Sequence, residues 1–284
     1  MTLSESAKNE LSWWVNNILS AFNRISHPSP SLIITSDASH VGWGATCGDT
    51  STGGTWSAKE TQRHINYLEL LAAFFALKIF AKNSTDEHVR LMIDNTTAVS
   101  VINHMGTSHS DSCHELAKEI WAWCIPRGIW ISAAHIPGKE NTIADYESRK
   151  TVGPTEWKLD PISLGNALKQ LQFHKEIDLF ASRVNCQFPR YCSFKPDPTA
   201  EAIDAFTISW HNLKFYAFPP FSIVPAVLKK IASDKGEGIC ILPNWPTQSW
   251  YPKAMKMLNQ PPVELKPRKE LLTLPSDQIG RAHV

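Results

Sequence analysis

Two short strand-like runs, Leu32–Ser36 and His88–Ile93, each lead straight into an aspartate, Asp37 and Asp94, where a buried strand would normally continue apolar. These two positions constrain the chain more than any other feature. Carboxylates gathered at strand ends repel one another and lose hydration, so a fold that assembles them needs cations between them. Glu69, in the first turn of a long apolar helix, and Asp145, at the opening of a short one, add two more acids at the ends of elements. Singly, each reads as a solvated side chain or a helix N-cap. As an ordered set of four, they read as ligands.

The intervening sequence supplies the elements. Residues 3–27 read as an amphipathic helix, with Leu11, Trp14, Val15, Ile18, Leu19 and Phe22 near helical spacing. The segment His27-Pro28-Ser29-Pro30-Ser31 breaks it. Leu32–Ser36, the glycine-rich Val41–Ala45 and Thr55-Trp56-Ser57, the last set off by the turn Thr52-Gly53-Gly54, form a three-strand meander. Residues 66–82 are helix formers with a wide apolar face. After the strand His88–Ile93 come a helix from Asn95 to about Asn103 and another near Asp111–Arg127. Trp130–His135 is the fifth strand, and Pro137-Gly138 turns the chain toward a closing helix around Thr142–Arg149. This order makes a layered α/β domain over 29–150, preceded by an N-terminal helix or connector over 1–28.

With 284 residues, 43% apolar and 19% charged, the chain has enough apolar surface for a core, which excludes disorder as its overall state. No run reaches the roughly 20 apolar residues of a membrane helix, so no membrane partner is expected. Six cysteines without a CxxC pair fit reduced intracellular thiols and speak against structural zinc. His104, His109, Cys113 and His114 lie close in sequence but lack a recognised zinc spacing. Residues 29–150 carry ten Lys/Arg against thirteen Asp/Glu, and residues 151–284 sixteen against twelve. Neither half has the dense basic patch of a dedicated nucleic-acid clamp.

Hydrolysis of a phosphodiester by two divalent ions gives a reason for the acids to cluster, and hard oxygen ligands favour Mg²⁺ or Mn²⁺. The segments Thr35-Ser36-Asp37-Ala38-Ser39, Asn66-Tyr67-Leu68-Glu69-Leu70, Ile93-Asp94-Asn95 and His135 through Asp145 resemble the ribonuclease H domain of reverse transcriptases. The ending Ala144-Asp145-x-x-Ser148-Arg149 is similar to retrotransposon versions. The run His64-Ile65-Asn66-x-x-Glu69-Leu70 looks most like the DIRS-type, tyrosine-recombinase elements. This resemblance, over residues 30–150, implies a ribonuclease H-like five-stranded mixed sheet with flanking helices. It implies that Asp37, Glu69, Asp94 and Asp145 hold two Mg²⁺, with Mn²⁺ as the other candidate, to cut the RNA strand of RNA–DNA hybrids during reverse transcription. His135 would move a proton or help product leave, unless it simply ends a strand at the surface. Ser39, Asn66, Asn95 and Asn141 would contact substrate, and an upstream reverse transcriptase domain of the same polyprotein would be a partner. Glu147 departs from the pattern, standing where an apolar residue is usual.

Beyond residue 150 the composition shifts. Most of the nineteen prolines lie there, which places a domain boundary in Lys150–Pro154. Ile177-Asp178-Leu179-Phe180-Ala181-Ser182, Pro189-Arg190-Tyr191, Trp210, Phe218-Pro219-Pro220-Phe221 and Leu242-Pro243-x-Trp245 form a second ordered set over 151–265. It resembles the module downstream of ribonuclease H in DIRS-type polyproteins and, distantly, the phage-type DNA adenine-N6 methyltransferases. That likeness implies a smaller Rossmann-like α/β domain in which an Asp/Asn-Pro-Pro-aromatic motif receives a flipped adenine. Here the first position is Phe218, which has no acceptor for the exocyclic amine. The module is therefore expected to be degenerate and to pack or dock rather than methylate. Two readings stand beside hydrolysis: adenine methylation by this domain, and an inert nucleic-acid-binding or docking fragment of a decayed element. Residues 266–284 read as a tail. Its last six, Ile279–Val284, are what ATC GGA AGA GCA CAC GTC encodes, which looks like a sequencing-library adapter, so the natural sequence is expected to stop near Asp277.

Overall fold

A five-stranded and a three-stranded sheet organise the two parts of the chain, and the acids of the set stand on the first sheet or on helices packed against it. The computed structural model describes residues 3–20, 26–150 and 157–274. The expected boundary at Lys150–Pro154 lies almost wholly outside the described residues, as do Phe22 and Ile279–Val284.

Strands β1 (Leu32–Ala38), β2 (Gly42–Cys47) and β3 (Thr50–Thr55) form the antiparallel meander, and β4 (His88–Ile93) and β5 (Trp130–His135) add parallel strands on the other side of β1. The order β3-β2-β1-β4-β5 is the five-stranded mixed sheet that the resemblance implies, but the third strand starts earlier than expected. Thr52-Gly53-Gly54, read as a turn, pairs with β2 inside β3, the turn falls at Gly48-Asp49, and Trp56 and Ser57 lie past the strand. Register sets Ser36 beside Ile93, so Asp37 and Asp94 emerge next to each other where β1 and β4 end.

The helices are α1 (Glu5–Asn17), α2 (Ile65–Phe80), α3 (Thr96–Asn103), α4 (Asp111–Cys124) and α5 (Thr142–Arg149). From Leu68 to Leu77 every residue of α2 is buried, and Glu69 is the one charged residue among them. A helix apolar all round belongs inside a core, and α2 packs on the sheet with α3 and α4 against it. The helix expected near Asp111–Arg127 ends at Cys124 and passes into a single 3-10 turn, Ile125–Arg127. Pro126 has no N–H to continue the ladder, and Gly128 closes the turn at φ 65°. Of the amphipathic helix expected over 3–27, Glu5–Asn17 forms as α1 and the described residues after it are a turn; Leu11, Trp14 and Val15 on the helix and Ile18 and Leu19 just past it are exposed. An ion pair between Glu10 and Lys118 of α4 at 3.2 Å links it to the rest.

Glycine decides how α5 docks. Gly44 and Gly53 are partners across β2 and β3, on the face that α5 covers. A Cβ on Gly44 would lie 2.1 Å from the Ala144 carbonyl oxygen, and one on Gly53 would lie 3.0 Å from Glu147 Cβ. Only a strand without Cβ atoms at these points lets the helix come this close. Trp43, one residue from Gly44, points to the opposite face and meets Phe75 of α2 with ring centroids 5.4 Å apart.

The second unit is built on shorter strands. Its short pieces are β6 (Lys158–Leu159), β7 (Ile177–Asp178), β8 (Cys192–Ser193), β9 (Ala202–Ile203), β10 (Lys214–Ala217), β11 (Glu237–Cys240) and β12 (Leu272–Thr273). Its helices are α6 (Pro161–Gln170), α7 (Val224–Asp234) and α8 (Tyr251–Lys256). A parallel sheet of order β11-β10-β7 has α7 as the crossover between β10 and β11. β12 lies in the segment expected as tail and pairs antiparallel with β6, with Leu272 opposite Leu159. No helix among the described residues is long and apolar enough to cross a membrane.

Candidate metal centre

The centre is built where β1 and β4 end and α2 begins. Asp37 is the next-to-last residue of β1 and Asp94 directly follows β4, while Glu69, expected in the first turn of its helix, enters from the second turn of α2 because the helix already starts at Ile65. Oxygens of Asp37, Glu69 and Asp94 all lie within 4.8 Å of one another. Asp37 and Glu69 are buried, and Asp94 is partly exposed beside Gly138, where an added Cβ would sit 3.3 Å from its Oδ2. The centre is thus walled by core on one side and roofed by the Pro137-Gly138 turn on another.

Three acids in this space disturb one another. Burial pushes the Asp37 carboxyl up to about 6, a shift opposed by the Ser148 hydroxyl and reinforced by Asp94 and Asp145. Glu69 is pushed up to about 9, first by burial and then by Asp37 and Asp94, with the Ala38 backbone N–H pulling the other way. Ser148 Oγ donates to Asp37 Oδ2 at 2.5 Å. Glu69 Oε2 is buried and has no hydrogen-bond partner. An unpartnered carboxylate oxygen facing two further carboxylates is the arrangement that a divalent cation satisfies, and an all-oxygen donor set suits Mg²⁺ or Mn²⁺. The residues therefore fit such an ion.

Asp145 does not join the trio. It lies on α5 near enough to raise the Asp37 carboxyl, but its Oδ1 accepts from Arg149 Nε at 2.6 Å. His135 ends β5 across from Ile93 and is exposed. Asn95 caps α3 by accepting from the Ala98 N–H at 2.9 Å, and its Nδ2 donates to Asn66 Oδ1 at 3.0 Å. This pair tethers the start of α2 to the start of α3, on either side of Glu69 and Asp94. Asn141 is buried and donates to the Ser36 carbonyl at 3.0 Å. Ser39, also buried, donates to the Ser148 carbonyl at 2.7 Å and accepts from the Gly42 N–H at 3.1 Å. Both therefore hold α5 and its preceding loop onto β1, with their polar atoms turned inward. The group His104, His109, Cys113 and His114 does not converge: the carboxylate trio is the one set of three such side chains close enough to share an ion among the described residues.

Sequence reasoning assigns Ser148 no role of its own. Its spacing from Asp145, three residues on along a helix, is the available signal that the two share a side.

In the second unit, Phe218 follows β10 directly. The cavity it helps to line, with Asp178, Tyr216 and Trp157, measures about 10 Å³. That is room for about one water, not for a nucleoside.

No protein-family model matches the chain, and no curated protein does. Among the solved structures similar to part of the chain, two cover 41% of it. One is ribonuclease H1 from Halobacterium salinarum NRC-1, with 19% identity, 92% of that chain covered and a TM-score of 0.34. The other is the N-terminal ribonuclease H domain of a Mycobacterium tuberculosis protein, solved as a fusion with maltose-binding protein, with 15% identity, 94% covered and a TM-score of 0.32.

Proposed function

We propose that the first unit is a metal-dependent phosphodiester hydrolase of the ribonuclease H type, acting on the RNA strand of RNA–DNA hybrids. The reading extends to a retrotransposon polyprotein in which a reverse transcriptase domain lies upstream. The observation that carries it is the trio Asp37, Glu69 and Asp94, with Glu69 Oε2 buried and unpartnered in its midst.

Asp37, Glu69 and Asp94 would hold one divalent ion, and Asp145, on giving up Arg149, would help to hold a second. Bound there, two such ions supply an activated water and stabilisation of the leaving oxygen. The chain's own groups do the rest. Ser148 keeps the Asp37 carboxylate in one rotamer by its short bond to Oδ2. The Asn66–Asn95 bond holds the helix starts that carry Glu69 and Asp94 at a fixed separation. His135, exposed at the end of β5, would take or deliver a proton at its imidazole. The sparse positive charge of residues 29–150 suits recognition by backbone geometry and 2′-OH groups more than by a strong basic field.

The test is cleavage of RNA–DNA, RNA–RNA and DNA–DNA duplexes by the full chain in Mg²⁺, in Mn²⁺ and in chelator. RNA-strand cleavage of the hybrid alone, abolished by chelator, is expected. Equal cleavage of all three duplexes, or cleavage that survives chelation, overturns the proposal.

A further inference from the structure

Glu147 is the one acid of α5 that is buried, at 8% exposure, on the helix face where an apolar side chain would ordinarily sit. A carboxylate in that place is costly unless it is paired. Its own helix offers Lys150, whose Nζ is 3.7 Å from Oε1. The closer partner comes from the second unit: Lys195 Nζ is 3.2 Å from Glu147 Oε2.

Lys195 belongs to a strap that crosses the open edge of the first sheet. β3 is the edge strand. Lys195 reaches α5 on one face of the sheet. The carbonyl of the next residue, Pro196, accepts from Thr52 Oγ1 at 2.6 Å, and the Thr52 side chain points to the other face. Both ends of the strap are anchored. Arg183 pairs with Glu60 through both terminal guanidinium nitrogens at 2.9 Å, donates to the Thr55 carbonyl at 3.1 Å and lies 4.6 Å from the Phe75 ring centroid. Its backbone N–H donates to Asp197 Oδ2 at 2.9 Å, which ties this anchor to the strap. At the far end Lys82, just past α2, donates to the Ala200 carbonyl at 2.9 Å.

We infer that the second unit is a brace for the metal centre, and that Lys195 is a positioning residue acting through Glu147. The reading rests on the proposed hydrolase. Helix α5 has eight residues and cannot hold its shape alone. It carries Asp145 and Ser148 on either side of Glu147, so whatever fixes Glu147 fixes the bond from Ser148 to Asp37. The strap also covers a strand edge that would otherwise be open to unwanted pairing. This gives residues 157–274 a role that requires neither a bound cofactor nor a nucleotide.

The test uses the full chain with Lys195→Glu, Lys195→Met, Glu147→Lys and the double swap Glu147→Lys/Lys195→Glu. Three quantities are read: amide hydrogen exchange of residues 142–149, Mn²⁺ affinity by calorimetry, and kcat and KM on hybrid. Each single variant should speed exchange in α5 and lower both Mn²⁺ affinity and kcat by about tenfold, the low end for groups that orient metal ligands. KM should stay put, and the swap should restore all three. Lys195→Met keeps the aliphatic stem and should move the same quantities in the same direction if Lys195→Glu folds poorly. Wild-type exchange and Mn²⁺ affinity in Lys195→Met, or a swap no better than its single parents, overturns the brace. If wild-type protein cleaves no hybrid while exchange and Mn²⁺ affinity still respond, the hydrolase reading fails and the brace stands.

Discussion

Each unit buries an aspartate at the end of a strand, and the two differ only in their company. Asp37 and Asp178 are both 2% exposed, and burial pushes both carboxyls up to about 6. Around Asp178 stand donors: the Phe180 N–H at 3.3 Å and the Gln187 N–H at 3.1 Å, with the charge of Lys158 nearby. Around Asp37 stand Glu69, Asp94 and Asp145, with the Ser148 hydroxyl as its side-chain donor. Exposure and a raised pKa therefore do not distinguish a site from a structural acid. The sign of the neighbours does: donors close a buried acid off, and other carboxylates leave it needing a cation.

Substitution should separate the two aspartates sharply. Asp37→Asn is expected to abolish hybrid cleavage while raising the stability of metal-free protein by on the order of 1–2 kcal/mol at neutral pH, since it removes a crowded buried charge. Asp178→Ala should leave cleavage at the wild-type level and lower the unfolding free energy by about 1–3 kcal/mol, because two part-buried N–H groups lose their acceptor. Cleavage rates and urea unfolding on both variants check the contrast. If Asp37→Asn destabilises the protein as Asp178→Ala does, the two acids are alike and the metal centre is misassigned.

A smaller effect is expected at the rim. His135→Ala should slow turnover by at most the roughly 10²–10⁴ of a general acid–base group, with hybrid affinity unchanged. Steady-state kinetics decide it, and an unaltered kcat would make His135 an ordinary strand end.

The last contrast is in stability against pH. Asp37 rises from 3.8 to about 6 and Glu69 from 4.5 to about 9, so both favour the protonated form when folded. A raised carboxyl stabilises the fold fully below its unfolded pKa and loses that contribution as pH climbs through the folded value. Metal-free protein should thus lose stability from about pH 4 up through about pH 9, in a lower step shared by Asp37 and by Asp178, also raised to about 6, and an upper step from Glu69 in the coupled group. Asp178→Ala should keep the step that Glu69 contributes, whereas Asp37→Asn should shrink it. Since an ion requires the deprotonated acids, Mg²⁺ should reverse the loss most strongly at the alkaline end. Thermal melts across this range, with and without Mg²⁺, measure it.

Much of the first unit is legible locally. The strands at Leu32–Ala38, His88–Ile93 and Trp130–His135 follow apolar runs, and α2 follows its unbroken helix formers. The second unit was harder to read, for a physical reason: β6, β7, β8, β9 and β12 are two residues each, too short to show any periodicity. Among the expected substrate contacts, Ser39 and Asn141 proved to face inward. Direction off a turn depends on what the turn packs against, and no spacing reports it.

Sequence alone determined which acids stand at the ends of which elements, because a strand or helix is specified by residues a few positions apart. Tertiary structure decided which of those acids meet. Asp37 gains Ser148 from 111 residues away only because Gly44, its partner across β1 and β2, leaves α5 room to approach. Asp145 is drawn to Arg149 instead of to the trio. Glu147, an anomaly in the sequence, is accommodated by Lys195 from 48 residues further on, in the other unit. Contacts at such separations depend on how close two elements can come and on which charges then face each other, and neither is written in the period of either element.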